Sequence, residues 1–339
     1  MKGPTRRWAA ALALLLLAGC APGGPAPAPE EKPGGTLVVY TSHREEIYWP
    51  VIKEFQERTG IWVEVEYAPT SEILDRIRRE ADAPRCDVIF GGGVESLEAN
   101  KDCFQPYRTA GCDAIGQAFL SADDSWTPFT ALPLVLIYNT RLASGDDAPT
   151  GWADLADPRW KGRVAFANPV TSGSCYTSLA TALQIYGGDG WDFIRRCAVN
   201  LDGSLLENSS DITARVADGT CTLGITLEET AKRQMNAGAG IQLVYPAEGT
   251  SAVPDGTAIV SGAPHPENAR LFVDFTVSRD VQEMLAADLM RRPVRTDVQP
   301  AGNLPPLGEL NLIPYDFAWA AHHKDEVLAR WTGLLDKGE

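Results

Sequence analysis

Histidine is scarce in this sequence. The four residues, at 43, 265, 322 and 323, fall in no nucleophile elbow or metalloprotease motif. No glycine-rich fingerprint follows the first strand-like run and no Gly-Lys-Ser/Thr ending occurs, which excludes the usual nucleotide-phosphate loops. Cys-x-x-Cys spacing is absent, and with it a dithiol redox motif or a zinc knuckle. Basic residues are outnumbered, 30 Lys+Arg against 45 Asp+Glu, which argues against a nucleic-acid or anionic-membrane surface. An anionic small ligand is not excluded, because a cleft can be locally positive inside an acidic protein. No apolar run reaches the roughly 20 residues needed to cross a bilayer.

What is present begins with a leader. Met1 to Arg7 is basic, Trp8 to Ala18 is continuously apolar and Leu17-Ala-Gly-Cys20 closes the run. This resembles a bacterial lipoprotein signal, residues 1–19, with Cys20 as the lipidated first residue of the mature chain. Residues 20–34, rich in Pro, Ala and Gly, have the composition of a flexible tether. The chain after residue 19 has 320 residues, 27 of them basic and 45 acidic, for a formal charge of −18. That length predicts two domains. Six cysteines follow Cys20, an even number in an exported chain, and predict up to three disulfides. Cys103–Cys112 is the first choice, since eight residues separate them around Tyr107 to Gly111, and Cys197–Cys221 the second.

Strand and helix signals alternate from Leu37 onward. Leu37–Tyr40 and the period-two run Ile61–Tyr67 read as strands, with a helix between them from about Arg44 to Arg58 that places Ile47, Tyr48, Val51 and Phe55 on one side. Thr70 fits a cap for a helix carrying Ile73, Leu74 and Ile77, and Cys86–Phe90 reads as a third strand running into Gly91-Gly-Gly93. Leu134–Tyr138, Arg163–Ala167, Thr222–Thr226 and Ile241–Tyr245 repeat the pattern. Thr257–Ser261 then returns to the first domain, helices begin near Pro266 and Val281, and an amphipathic segment from Tyr315 to Leu335 packs onto the second. Such alternation predicts an α/β protein with a mostly parallel sheet.

The runs Leu37-Val-Val-Tyr-Thr-Ser-His43, Phe55 to Ile61, Cys86-Asp-Val-Ile-Phe90, Leu136-Ile-Tyr-Asn-Thr140, Trp152 to Arg163 and Pro169-Val-Thr-Ser-Gly173 resemble, in order and spacing, the substrate-binding proteins of bacterial ABC importers. The likeness is to their ferric-iron-binding branch, which also contains thiamine, sugar-phosphate and aminoethylphosphonate binders. It implies a two-lobed, type II periplasmic-binding-protein fold with the ligand cleft between lobes. The lobes are expected at 35–131 plus 257–310 and at 132–256 plus 311–339. The chain is then a transport receptor and not an enzyme, without a cofactor, monomeric, delivering its ligand to a membrane permease. Its expected place is the periplasm or, lipid-anchored, the outer face of the cytoplasmic membrane.

For the ligand, the resemblance and the residues give one half of a site more clearly than the other. Iron binders of this kind use a histidine after the first strand, a glutamate after the third and two adjacent tyrosines. The matching positions are His43, Gly92 and Glu228-Glu229. Hard Fe(III) prefers anionic oxygen, so His43, Glu228 and Glu229 form the candidate set if iron is the ligand. His43 can equally hydrogen-bond a ligand or merely pack at the strand end. The anion position of the family matches Thr171-Ser172-Gly173 with Ser174, and Asn208. Free helix N–H groups, a close backbone approach at Gly173 and nearby hydroxyls suit a phosphate or phosphonate, although helix capping alone also explains Ser172.

Thr41, Ser42 and His43 leave the first strand, and Gly91, Gly92 and Gly93 leave the third, where ligands of open α/β sheets collect. The glycines either admit a ligand close to the backbone or only permit tight packing of the turn. Arg291, Arg292 and Arg295 can add charge-assisted bonds to phosphate or simply face solvent, with Arg292 the preferred candidate. Glu228 and Glu229 would accept from sugar hydroxyls or an ammonium group. Trp49, Tyr138 and Tyr176 are ring-facing candidates or core aromatics. A small anionic organic ligand, a sugar phosphate before an aminoalkylphosphonate, is the leading expectation. A secreted hydrolase using Ser172 and His43 is the alternative of another class.

Overall fold

A computed structural model describes residues 35–336. The leader, Cys20 and the tether lie outside the described residues. β1 (Thr36–Thr41) leads into α1 (Glu45–Thr59), whose Ile47, Val51 and Phe55 are buried and whose end is set by Gly60 at φ 71°. β2 (Trp62–Tyr67), α2 (Thr70–Arg79), β3 (Val88–Gly93), the one-turn α3 (Val94–Glu98) and the short β4 (Phe104–Gln105) complete the first run. Thr70 is the first helical residue of α2, with Pro69 in the cap position where the sequence predicts Thr70. β5 (Thr127–Asn139) is long, and β6 (Val164–Ala165), α4 (Gly173–Tyr186), α5 (Gly190–Leu201) and α6 (Ser210–Ala217) follow it. Then come β7 (Leu223–Leu227), α7 (Glu228–Asn236), β8 (Ile241–Val244) and β9 (Ala252–Val260). α8 (Pro266–Thr276), α9 (Arg279–Leu289), β10 (Arg292–Pro293), α10 (Phe317–His322) and α11 (Lys324–Asp336) close the chain.

The sheet order is β2-β1-β3-β9-β5-β7-β6, with β4 on β9 and with β8 and β10 on β5. Parallel pairing occurs at the two ends, β1 with β2 and β3, and β6 with β7. Every pair made by β5 or β9 is antiparallel. The sheet is therefore mixed where alternation predicts mostly parallel. Alternation of strand and helix does not report the direction of a long strand that joins two halves, and antiparallel neighbours need no helical crossover.

β5 belongs to both halves. Its Thr127–Pro133 stretch pairs with β9, while Leu134–Asn139 pairs with β7 and β8. On one side of this division lie the apolar clusters built from Leu37, Phe55, Phe90 and Phe272 and from Tyr40, Ile73 and Leu97. On the other lies a larger cluster around Leu136, Trp152, Phe166, Tyr176 and Trp331. The C-terminal segment is two helices, not one, and it straddles the halves. Phe317 stands edge-on to Trp126 at 5.9 Å beside the first, and Val327 and Trp331 join the second.

The expected disulfides are corrected by the structure: Cys86, Cys103, Cys112, Cys175, Cys197 and Cys221 are all free. Cys103 packs against the Tyr40–Ile73 cluster, whereas the Cys112 thiol turns to Asp113 at 3.4 Å on a separate turn. Cys197 lines a small apolar void of about 40 Å³ with Trp152, Phe193 and Leu201, to which Cys221 does not contribute. No described helix is long and apolar enough to cross a membrane.

Candidate functional site

α4 begins at the mouth of the junction between the halves. Asn168 folds the approach, its carbonyl accepting from Thr171 and Ser172 N–H at 3.1 and 2.9 Å and its side chain from Val170 N–H at 3.0 Å. Ser172 is the N-cap, its hydroxyl accepting from Cys175 N–H at 3.3 Å and lying 3.3 Å from the Ser174 hydroxyl. Among the described residues, the N–H groups of Gly173 and Ser174 have no protein acceptor. A Cβ placed on Gly173 would meet nothing within 4 Å, so this turn opens into free space. Two hydroxyls and two unpaired N–H groups at the positive end of a 14-residue helix are the donor set an anion requires.

Two cavities flank this helix start and share Thr171, Gly173, Ser174 and Leu227. One, about 520 Å³, also takes in Ser42, Ser172, Asn208 and Glu229 of the expected site. Arg44, Tyr67, Thr230 and Arg233, which the sequence reading missed, face the same space. The other, about 770 Å³, includes Gly93 and Tyr176 together with Thr70, Arg78, Glu95 and Lys324. Thr171 donates its hydroxyl within the loop system, to the carbonyl of Asn168 or of Glu207, each at 3.2 Å.

The remaining expected residues are drawn together beneath the cleft instead. Glu228 and Arg292 face each other, both nearly inaccessible, with Nε to Oε2 at 2.5 Å and Nη2 to Oε1 at 2.7 Å. Tyr245 also donates to Glu228, and Arg292 Nη1 donates to the Pro305 carbonyl at 2.6 Å. Arg291 bridges Asp255, a close ion pair, and Glu229 at 3.3 Å. Asp255 accepts in addition from the Thr130 N–H and hydroxyl, both at 2.8 Å. Two adjacent arginines at the start of β10 thus clasp two adjacent glutamates at the start of α7. Neither Glu228 nor Arg292 borders the two cavities, and only Glu229 keeps a face toward the 520 Å³ space. Arg295 lies apart, forked onto Asp297 at 2.8 Å.

His43 also belongs to the floor. Its ring stands edge-on to Phe90 at 4.8 Å and tilted on Phe129 at 5.6 Å, and burial lowers its pKa to about 4. Nε2 is 3.5 Å from Asp255 Oδ2 yet makes no hydrogen bond. At neutral pH the ring is uncharged. Thr41, fully buried, donates to the Phe90 carbonyl at 2.6 Å and accepts from His43 N–H at 3.1 Å. Gly91 and Gly92, at φ +105° and +89°, permit this packing, since a Cβ would come within 2.8 Å of the His43 ring or of Thr70. Gly92 therefore packs, while Gly93 reaches a cavity. The candidate iron set is not assembled: each glutamate is held by an arginine, and no group of three or more His, Cys, Asp or Glu among the described residues could hold a metal.

A family model of bacterial extracellular solute-binding proteins matches residues 83–319. The chain belongs to that family. Like others of its kind, this solute-binding protein has the type II periplasmic-binding-protein fold and the build of a periplasmic binding protein of an ABC importer. It is 28% identical to iron uptake protein A1 of Synechocystis, over 72% of each chain. It is 24% identical to a putative 2-aminoethylphosphonate-binding periplasmic protein of Salmonella paratyphi A, over 73% of this chain and 74% of that one. Its fold matches that of the periplasmic binding protein AfuA of Actinobacillus pleuropneumoniae with fructose-6-phosphate bound, at a TM-score of 0.79, 24% identity, and coverage of 89% and 98%.

Among the residues missed, Tyr67 is the largest surprise. It ends β2 at 62% exposure beside the 520 Å³ cavity, and as the last residue of an alternating strand it reads only as a strand residue. Trp49 is exposed on α1, and Tyr138 is half-buried against the second core. Glu95, which lines the 770 Å³ cavity, was not among the expected site residues.

Proposed function

We propose that this solute-binding protein captures a small phosphorylated organic ligand, with the phosphate seated on the first turn of α4. The observation that carries the reading is the pair of unpaired N–H groups at Gly173 and Ser174, joined by the Ser172 and Ser174 hydroxyls and opening on the 520 Å³ cavity. Asn208, Thr230 and Arg233 stand across that space and suit further phosphate oxygens or sugar hydroxyls. Of the expected ligand carboxylates, Glu229 alone remains, so a sugar phosphate would use it with Asn208 for its hydroxyls. The ligand would bridge residues of both lobes, Ser42 on one and α4 on the other, and shift an open–closed equilibrium toward closure.

The reading further includes a lipid anchor at Cys20, a tether of residues 20–34, and lobes of 35–131 plus 257–310 and 132–256 plus 311–339, the last segment also touching the first lobe through Phe317. A monomeric receptor feeding a permease at the outer face of the cytoplasmic membrane completes the reading. The test is to incubate the ligand-free protein with a pooled metabolite extract and weigh what stays bound by native mass spectrometry, with metal analysis on the same sample. An organic phosphate without stoichiometric iron is expected. Stoichiometric iron with an inorganic anion would sink the proposal.

A further inference from the structure

The described residues contain four buried acidic side chains: Asp87, Glu95, Glu228 and Asp255. Three have a cationic or protonatable partner at close range, Asp87 with the His265 ring at 2.9 Å, Glu228 with Arg292 and Asp255 with Arg291. Glu95 does not. Its oxygens accept only from hydroxyls, Oε2 from Thr177 at 2.8 Å and Oε1 from Tyr315. Burial pushes the carboxyl upward in pKa, against the lowering pull of those two hydroxyls and of Lys324. Lys324 is felt through space, its ammonium standing over the Tyr176 ring at 5.3 Å. A buried carboxylate with no cation in contact is costly, and each carboxylate oxygen can accept more than one hydrogen bond.

Glu95 differs from the other three in a second respect: it lines the 770 Å³ cavity that adjoins the start of α4. The wall there is open because Gly93 has no side chain, and a Cβ on it would stand 3.6 Å from Glu95 Oε2. The Thr177 hydroxyl also lies 3.1 Å from the Gly173 carbonyl. That places the carboxylate about one helical turn, roughly 5 Å, along α4 from the unpaired N–H groups.

We propose that Glu95 is a second ligand subsite that takes an ammonium group, so that the ligand is a phosphate or phosphonate carrying a primary amine about one helical turn from its anionic end. The inference rests on the anion reading above. A hydroxyl would fill the remaining hydrogen-bond capacity of Glu95 but leave it without a cation in contact, whereas an ammonium supplies both. Aminoalkylphosphonates and amino-sugar phosphates share this chemistry.

The experiment is calorimetric titration at pH 7 with two matched pairs, glucosamine 6-phosphate against glucose 6-phosphate and 2-aminoethylphosphonate against ethylphosphonate. Wild-type protein should prefer the amine-bearing member of at least one pair by about tenfold or more, and the pair that shows it identifies the source. Glu95→Gln should reduce that preference to less than about threefold by weakening the amine-bearing member. Equal binding within both pairs overturns the inference and leaves the anion reading standing, and so does a preference that survives in Glu95→Gln. Failure of every probe to bind wild-type protein overturns both. The wild-type comparison decides the matter even if the variant does not fold.

Discussion

Two regions meet at the junction of the halves and differ in what they leave free. The clasp of Arg291 and Arg292 on Glu229 and Glu228 has formal charge on every member, yet those charges are largely satisfied from within the protein. The start of α4 has no formal charge in its first turn, yet it presents unpaired N–H groups and hydroxyls to open space. Binding capacity here follows from what local structure leaves unsatisfied, not from the charge of the residues. A helix start creates that surplus by geometry, and a buried ion pair removes it.

The contrast breaks most visibly at the clasp. Arg292→Ala leaves Glu228 buried without its partner and should cost about 3–5 kcal/mol by urea unfolding. Replacing both partners, Arg292→Met with Glu228→Leu, should recover most of that loss, because two charges leave the interior together. A loss in the single variant below about 1 kcal/mol would mean the pair is solvated and available to ligand.

Acid should act next on the same floor. The folded pKa of His43, about 4, is below its ordinary 6.5, so the unfolded chain takes up the proton first. Stability on the order of 3 kcal/mol is then lost as pH falls from 6.5 toward 4, and below that this residue contributes no further slope. Glu95 opposes it: its raised folded pKa means the folded state binds the proton first, adding stability as pH falls through the window just above its ordinary value of 4.5. An NMR titration of the histidine rings should place the His43 midpoint near 4, and a midpoint near 6.5 would show the ring to be hydrated.

At the α4 start the stability effect is smaller and the binding effect larger. Ser172→Ala with Ser174→Ala should cost about 1 kcal/mol of stability through the lost cap while weakening a phosphate ligand at least about tenfold. Equal losses in the two quantities would reduce Ser172 to a cap. Arg233, exposed at the cavity rim, should matter least. Arg233→Gln is expected to change affinity by about threefold or less, and mainly at low ionic strength.

The fold was legible because apolar periodicity and glycine placement are local. Ile47, Val51 and Phe55 bury the face their spacing implies, and Gly60 ends α1 in the left-handed region. Strand direction was not, since β5 and β9 pair by contacts far apart in sequence. The disulfides failed for a related reason: an even count in an exported chain says nothing about whether thiols are brought together. At the site, Thr171-Ser-Gly-Ser174 was readable because a helix start is a local motif. That Glu228 and Arg292 engage each other depends on a separation of 64 residues, which no local pattern reveals. Glu95 was not legible as a site residue because its distinction is a buried carboxylate contacted by hydroxyls and by no cation, a property of its surroundings.

The most direct measurement is a backbone amide NMR titration of the protein with glucose 6-phosphate. The expected result is that Gly173, Ser174 and their neighbours at the start of α4 show the largest shifts, saturating together, while the amides of Glu228 and Arg292 move little. Saturating shifts centred on His43, Glu228 and Arg292, with the start of α4 silent, would contradict the assignment of the anion site.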